Sequence, residues 1–459
     1  MIHQYKNNGF NIVIDVHTGS IYSVDELSYD VIDLINDGRE KTEIIQEINC
    51  KYNKDLSNDI TEIIEDINEL KNQGLLFSED VFKEFATQMK DKQSILKAIC
   101  LHVAHSCNMD CMYCFAGKGE YHDGSGLMSF ETAKRAIDFL IANSDGRTNL
   151  EVDFFGGEPL LNIDVCKKVV AYARSIEKDK DKNFRFTMTT NGILLDESIY
   201  DFLNEEMSNV VLSLDGKKET NDRMRKTKSG KGTYDLVIDK FINYLKTRGD
   251  KEYYIRGTYT GFNKDFFEDI IDIANRGFKE LAMEPVVTSP DNDYALTMED
   301  IEQLKDNYDK LSLEMIRRYE EGNLFNFYHY SVDFEGGPCI SKRISGCGVG
   351  TEYVAITPEG EIYPCHQFVG DKDYLIGNIK EIDFIDKKRI EPFRYCNVYT
   401  REECRDCFAK LYCSGGCSAN AYHQNGNINS VCEFSCELHK KRIENAIMMK
   451  LAMDEIDEK

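Results

Sequence analysis

Hydrophobic and polar positions follow three different patterns along the chain. Residues 11–24 read NIVIDVHTGSIYSV, in which apolar and polar residues alternate on both sides of a Thr18-Gly19 turn, as is typical of a β-hairpin. Amphipathic helical patterns follow at 26–36, 41–52 and 56–73. We therefore expect a small α+β domain over residues 1–80 and a polar connector over 81–96.

From residue 97 onward the pattern changes to strand, loop and helix, repeated. Short apolar segments predict six strands, at 97–104, 150–155, 184–190, 209–214, 253–260 and 280–287. Strands that alternate with helices form parallel sheets. The sequence thus predicts an α/β fold with a partial (β/α)6 TIM-like barrel over residues 97–300. In such barrels the active site forms where the carboxyl ends of the strands meet.

Four unusual motifs stand at the carboxyl ends of the predicted strands. In chain order they are CNMDCMYC (107–114), GGEP (156–159), TNG (190–192) and SLDG (213–216). Because they follow the first four strands, we expect them to share one end of the barrel. This end is the predicted functional site.

Most of the sixteen cysteines lie in two groups, at 107–114 and in the C-terminal part of the chain. Residues 301–335 predict a helical bridge, and 336–459 a Cys-rich domain that ends in a long helix. We interpret Cys50, Cys100 and Cys166 as small buried hydrophobic residues. Cys396 has no assignment from the sequence.

Composition limits the partners and the location that we expect. A net charge of −25 argues against nucleic acid or an anionic membrane as the main partner. The first residues lack a signal-peptide pattern, and no apolar run reaches the roughly eighteen residues of a membrane span. We therefore expect a cytoplasmic protein, in which cysteines favour metal binding or catalysis over disulfides.

Cys107, Cys111 and Cys114 form a group of three with no fourth cysteine nearby. Three thiolates can hold a [4Fe–4S] cluster and leave one iron open to another ligand. Zinc is the alternative, but zinc sites usually complete four ligands, and the nearby His102 and His105 lie on or beside the first strand. The spacing favours the cluster.

The CxxxCxxC motif, with Tyr113 before its last cysteine, resembles that of the radical S-adenosylmethionine (SAM) superfamily. The resemblance implies that the open iron binds the amino and carboxylate groups of SAM. Reductive cleavage then gives an adenosyl radical that takes hydrogen from a substrate. It also implies that SAM is bound by Tyr113, Gly156, Gly157, Glu158, Asn191, Ser213, Asp215, Arg225 and Arg256. For Arg256, a structural salt bridge is the alternative.

The C-terminal array CRDCFAKLYCSGGC, with cysteines on both sides of it, resembles the SPASM extension of these enzymes. The resemblance implies an outer [4Fe–4S] cluster held by Cys404, Cys407, Cys413 and Cys436, and an inner one held by Cys347, Cys365 and Cys417. Three [4Fe–4S] clusters are then expected in all. Cys339 can complete the inner set, or its fourth position is open to a substrate thiolate. Cys432 competes with Cys436, and a zinc ribbon is the alternative to both clusters.

The N-terminal domain resembles the winged-helix-like peptide-recognition element of enzymes that mature ribosomal peptides. A leader peptide would add a strand to an exposed sheet edge, for which the 19–24 strand and the 56–73 helix are the candidates. The alternatives are an accessory fold that stabilises the barrel and a dimerisation domain.

Taken together, the three regions resemble sactionine-type maturases of SCIFF peptides. These enzymes join a peptide cysteine sulfur to the α-carbon of an acceptor residue, which implies a Cys-rich precursor peptide and a flavodoxin- or ferredoxin-type reductant as partners. Carbon–carbon crosslinking, epimerisation and sulfatase maturation are alternatives, as is a metal-binding adaptor without catalysis. Sulfatase-maturing relatives carry an aspartate after the equivalent of Cys365, whereas His366 stands there in this chain.

Overall fold

The computed structural model describes residues 1–89, 94–121, 126–334, 339–381 and 386–459. It confirms the predicted fold class, a mixed α/β chain built on a parallel sheet. The predicted connector over 81–96 and the predicted boundary between residues 335 and 336 lie partly outside the described residues. Within these residues, no helix combines the length and the apolarity that crossing a membrane requires.

The N-terminal domain contains an antiparallel sheet and the three expected helices. Its strands are β1 Ile2–Asn7, β2 Phe10–Asp15 and β3 Ile21–Val24, and its helices are α1 Glu26–Asn36, α2 Lys41–Tyr52 and α3 Ser57–Asn72. A fourth helix, α4 Phe82–Met89, lies in the connector that follows the domain. The predicted hairpin is β2–β3, but the prediction missed β1, which pairs with β2 on its other side. The sequence of β1, IHQYKN, is mostly polar, so its strand conformation depends on pairing.

The barrel strands coincide with the six predicted strands. They are β4 Ala98–His105, β6 Asn149–Gly156, β7 Asn183–Thr190, β8 Met207–Ser213, β9 Tyr253–Tyr259 and β10 Glu280–Pro285, with a short β5 Gly126–Leu127 antiparallel to β4. The helices between them are α5 Phe130–Ala142, α6 Ile163–Lys180, α7 Glu197–Glu206, α8 Lys218–Met224, α9 Tyr234–Arg248 and α10 Phe266–Asn275.

The Cys-rich region extends the barrel sheet. Its elements, with those of the bridge, are α11 Ile301–Glu320, β11 Asn326–Phe327, α12 Ile340–Ser345, β12 Tyr353–Ile356, β13 Glu361–Tyr363, β14 Gly377–Asn378, α13 Lys387–Tyr395, α14 Lys410–Cys413, α15 Ser418–Asn425 and α16 Glu433–Asp457. The strand order is β11-β10-β9-β8-β7-β6-β4-β12-β13-β14. Because β12 pairs parallel with β4, the Cys-rich region lies directly beside the strand that leads to Cys107.

The two faces of the barrel sheet differ in polarity. Residues on the outer face pack against the helices and are at most 2% exposed, as in Val152, Phe186, Leu212, Ile255 and Met283. Several residues on the inner face are polar and partly or fully exposed, as in Asp153, Thr187, Ser213, Arg256 and Glu284, although the same face of β4 and β6 also carries the apolar Cys100 and Phe155. A parallel sheet buried on both faces is apolar on both. We call the space that this partly polar inner face borders the lumen.

The isolated cysteines behave as predicted in two cases out of three. Cys100 and Cys166 are buried, whereas the prediction for Cys50 is wrong, because Cys50 is exposed. Helix α2 buries Ile44 and Ile48, and the helical repeat places Cys50 on the opposite side.

Candidate functional site

The three cysteines of the first motif lie in the loop after β4. Cys111 lies within electrostatic reach of both Cys107 and Cys114. Burial raises the pKa of Cys107 to about 11 and that of Cys111 to about 12. Partly buried thiols that lie together fit ligation to iron, because binding a metal replaces their protons and compensates for the cost of burying thiolates.

The second motif packs against this loop through its glycines. Gly156 has a φ of 125°, and a Cβ there would lie 2.3 Å from the Ala104 carbonyl oxygen. A Cβ on Gly157 would lie 2.2 Å from the Ser106 carbonyl oxygen. The Gly157 and Glu158 amides donate to the Ala104 and Ser106 carbonyls at 2.8 and 2.9 Å. The glycines thus fix the chain that leads into Cys107, and their contact with SAM stays a prediction.

Glu158 joins the carboxyl ends of two neighbouring strands. Its buried carboxylate accepts hydrogen bonds from the Leu160 amide at 3.0 Å, the Thr190 hydroxyl at 2.8 Å and the Asn191 amide at 2.8 Å. Burial raises the pKa of Glu158, and these hydrogen bonds oppose the shift. Thr190 was missed by the sequence analysis, although it opens the third motif.

Replacing Glu158 by alanine should destabilise the barrel. The change leaves two backbone amides and one hydroxyl buried without their acceptor, and each such group costs about 1–3 kcal/mol. We expect the free energy of unfolding, measured by urea denaturation, to fall by about 3 kcal/mol in total. Glu151→Ala is the matched control, because Glu151 is an exposed glutamate on β6, the strand that precedes Glu158. Equal stabilities for the two variants would contradict the role of Glu158.

Tyr113 connects the cysteine loop to the ends of β8 and β9. Its hydroxyl donates to Asp215 at 2.6 Å and accepts from Arg225 at 2.9 Å. Asp215 also accepts from the Thr258 amide at 3.1 Å and lies 3.9 Å from Arg225. Burial raises the pKa of Asp215, although Arg225 opposes the shift. These predicted SAM contacts therefore form an internal network that positions the loop, and their role at the cofactor stays a prediction.

The other three predicted SAM contacts lie around the same end of the barrel. The Asn191 amide group donates to Asn108 at 2.7 Å and lies 3.7 Å from the Cys107 sulfur. Ser213 is half-buried and pairs in register with Arg256 on the next strand. The exposed Arg256 side chain makes no hydrogen bond or ion pair with any residue that the structure describes. It lies within electrostatic reach of His366 and Glu284.

The C-terminal cysteines form two groups of thiols. We call the first the inner group, in which Cys365 lies within electrostatic reach of Cys347 and Cys417. We call the second the outer group, which contains Cys404, Cys407, Cys413 and Cys436; Cys432 also lies within electrostatic reach of Cys436, so the choice between these two stays open. Burial raises the pKa of Cys404 to about 11 and those of Cys413 and Cys436 to about 12. The grouping follows the sets predicted from the sequence, and their role as cluster ligands stays a prediction.

The thiol groups do not have the arrangement of a single-ion site. Within the described part of the chain, no three His, Cys, Asp or Glu side chains are placed to hold one metal ion. A [4Fe–4S] cluster distributes its ligands over four irons. Its thiolates therefore need not converge on one point.

The remaining C-terminal cysteines have distinct surroundings. Helix α16 begins at Glu433, so Cys436 lies in its first turn; Cys432 precedes the helix and accepts from the Ser435 amide at 3.4 Å. Cys339 is exposed and adjoins residues that the structure does not describe. Buried Cys396 accepts a hydrogen bond from Arg401 at 2.9 Å.

A polar group at the end of β10 was missed by the sequence analysis. Glu284 lies 3.4 Å from His329 and 3.9 Å from Arg442 of α16, and within electrostatic reach of His439 on the same helix. One signal was available, because Glu284 lies in the carboxyl-terminal half of the sixth predicted strand, near the end of the barrel where sites form. The other three residues are distant in sequence, and only the fold brings them to Glu284.

The chain matches known families over two of its regions. Residues 101–277 match the Radical SAM superfamily, and residues 347–408 match SPASM, an iron–sulfur cluster-binding domain. A radical SAM cyclopropyl synthase, TigE, from Paramaledivibacter caminithermalis is 23% identical over 96% of this chain and 93% of its own. A cysteine-type anaerobic sulfatase-maturating enzyme from Clostridium perfringens is 26% identical over 68% of this chain and 85% of its own.

Solved structures share the fold. Native anSMEcpe with bound AdoMet and Cp18Cys peptide superposes with a TM-score of 0.64 at 22% identity, over 78% of this chain and 99% of that one. Streptococcus suis SuiB bound to precursor peptide SuiA superposes with a TM-score of 0.52 at 16% identity, over 94% of this chain and 97% of that one. The domain matches support a radical SAM domain over residues 101–277 followed by an iron–sulfur cluster-binding SPASM domain over residues 347–408, and such domains imply [4Fe–4S] clusters and SAM as cofactors.

Proposed function

We propose that this enzyme forms thioether crosslinks between a cysteine sulfur and an α-carbon within a Cys-rich, SCIFF-like precursor peptide. The observation that carries the proposal is the position of the inner group. Cys365 of this group and Cys114 of the first motif pack in one cluster with Cys100 and Ala355, the residues at which β4 and β12 pair. A sulfur held by the inner group would therefore lie near the radical source.

The inner group has three predicted ligands, so a fourth position is left for a substrate thiolate if Cys339 does not fill it. When bound, SAM and the clusters would supply a radical that takes a hydrogen atom and a site that accepts one electron. The formation of each thioether then balances, because the carbon loses a hydrogen atom to the radical, the sulfur loses a proton and the remaining electron passes to the accepting cluster. A flavodoxin- or ferredoxin-type protein is the proposed reductant.

Aromatic side chains shield the space between the two cysteine sites. His366 packs against Phe155 with ring centroids 5.0 Å apart and against Phe115 at 5.7 Å. The Tyr353 hydroxyl lies 3.4 Å from the Nδ1 atom of His366. These groups would keep water away from a radical on the peptide. The polar side of the lumen would remain available to bind the peptide backbone.

The N-terminal sheet supports leader-peptide binding at β3. The opposite edge strand, β1, contacts α16 through hydrogen bonds from Tyr5 to the Glu444 carbonyl at 3.0 Å and from Asn7 to Asn445 at 2.8 Å. Strand β3 is the other edge, and Leu75 beside it is 40% exposed. An added strand at β3 would therefore meet both free backbone groups and apolar surface.

Cyclopropane formation is the second candidate, because TigE resembles this chain over almost its whole length, including the N-terminal domain. Sulfatase maturation has less support. The sulfatase-maturating relative covers only 68% of the chain, and His366 replaces the expected aspartate.

Mass spectrometry with thiol alkylation tests the proposal. The reconstituted enzyme is incubated with SAM, a reductant and a synthetic Cys-rich, SCIFF-like precursor peptide. We expect a product lighter by two hydrogen atoms per link, with one alkylatable thiol lost per link. A cyclopropane or a carbon–carbon link removes the same hydrogens but keeps every thiol, epimerisation leaves the mass unchanged, and formylglycine replaces sulfur by oxygen. Any of these three results would reject the thioether.

A further inference from the structure

Two oppositely charged side chains face the lumen from neighbouring strands. Arg256 on β9 pairs in register with Ala282 on β10, and Glu284 lies two residues further along β10. Because side chains alternate between faces, Arg256, Ala282 and Glu284 share the inner face. Arg256 is exposed, and the Glu284 side chain is 35% exposed. Both groups can therefore reach a ligand in the lumen.

A buried support fixes the position of Glu284. Behind it, the Arg442 guanidinium donates to the Tyr308 hydroxyl at 2.8 Å, and Tyr308 lies 3.0 Å from the Tyr259 hydroxyl. His329 and Arg442 approach the Glu284 carboxylate from this side. No described residue donates a hydrogen bond to the carboxylate, so acceptor positions remain on its lumen side.

The charges around Glu284 keep it ionised. Burial opposes its charge, but the guanidinium groups of Arg442 and Arg256, which carry a permanent charge, help to hold the pKa of Glu284 well below its usual range. Burial and Arg442 lower the pKa of His329, so its ring is neutral near pH 7. An ionised acceptor, Glu284, and a cationic donor, Arg256, thus lie within electrostatic reach of each other.

This pairing selects a particular ligand chemistry. Glu284 accepts hydrogen bonds and Arg256 donates them, so the pair suits a ligand group that carries both a donor and an acceptor. A peptide amide is neutral and carries both an acceptor oxygen and a donor N–H, so it complements both side chains without unpaired charge.

We propose that Arg256 and Glu284 bind the backbone of the substrate residue in the lumen, with Arg256 donating to a peptide carbonyl and Glu284 accepting from a peptide N–H. This inference rests on the proposed function, and it gives Arg256 a role other than the SAM contact expected from the sequence. The position of Arg256 supports this role over a SAM contact. Arg256 lies within reach of His366, which follows Cys365 of the inner group, and β9 is separated from β4 by three strands.

The competing explanation is that the charged group only fastens α16 to the barrel. That role needs Glu284, His329 and Arg442 but not Arg256, which makes no hydrogen bond or ion pair with described residues. The two explanations therefore differ in what they predict for Arg256→Gln.

The test measures binding of a small probe, N-acetylcysteine N-methylamide, to the reconstituted holoenzyme by saturation-transfer NMR. We expect Arg256→Gln and Glu284→Gln each to weaken probe binding about tenfold, the loss typical of one charge-assisted hydrogen bond. Arg185→Gln and Glu252→Gln are matched controls, because this exposed pair joins β7 to the start of β9 at the other end of the sheet.

Three results would overturn the proposal. The first is that Arg256→Gln and Glu284→Gln both bind the probe as tightly as the two control variants do. Another is a loss of SAM affinity in both variants as large as their loss of probe affinity, which would place the two side chains at the cofactor. The third is a lowered melting temperature and lost binding for Glu284→Gln with unchanged binding for Arg256→Gln, which would indicate fastening. The probe test does not need turnover, so failure to modify the precursor peptide would count against the proposed function and not against this inference.

Discussion

Replacing Cys107, Cys111 and Cys114 together by alanine is expected to abolish reductive cleavage of SAM. These thiols are the predicted ligands of the cluster that binds SAM, and without them neither electron transfer to SAM nor its placement is possible. The measurement is formation of 5′-deoxyadenosine under anaerobic reducing conditions. Iron content should fall by about four atoms per chain, one cluster, while iron at the C-terminal groups remains.

The control for this triple variant is Cys50→Ala, since Cys50 is exposed and lies on α2, outside all three thiol groups. It should retain both iron and cleavage. If the triple variant still produced deoxyadenosine at the wild-type rate, the assignment of the first motif would be wrong. Loss of all iron would instead indicate that the chain no longer folds.

Replacing Gly157 by alanine is expected to lower SAM cleavage about a hundredfold, because a misplacement of about 1 Å can have that effect on a positioned reaction. The added Cβ would lie 2.2 Å from the Ser106 carbonyl oxygen, 2.6 Å from its carbon and 3.1 Å from the Cys107 amide nitrogen. All three are backbone atoms, so the clash cannot be relieved by rotating a side chain. The loop that carries Cys107 must move.

Gly146→Ala is the matched control, since a Cβ there meets no atom within 4 Å. It should cleave SAM like the wild type. The rate of deoxyadenosine formation and the iron content are measured for both variants. Wild-type behaviour of Gly157→Ala would show that the close packing of GGEP against the loop is not needed for the site.

The two substitutions separate chemistry from placement. The cysteine variant removes the donor atoms, whereas the glycine variant keeps them and displaces one of them. A radical enzyme needs both, because the hydrogen to be taken must lie next to the radical. The same distinction applies in the lumen, where Arg256 and Glu284 would place the peptide without taking part in bond making.

The sequence by itself determined the features that are encoded in consecutive residues. Six strands with one apolar face, the loop with Cys107 and the GGEP turn were all readable, because strand alternation and metal-ligand spacing are local properties. The sequence also grouped the C-terminal cysteines through their resemblance to a family.

Only the tertiary structure decided which distant elements meet. It paired β12 with β4, bound Glu158 to Thr190 and Asn191, and brought His329 and Arg442 to Glu284. The structure also places the mostly polar segment β1 in a strand, because strand pairing and packing outweigh the low β-propensity of its residues. Such contacts depend on the free energy of the whole fold, and no short segment of the chain carries a signal for them.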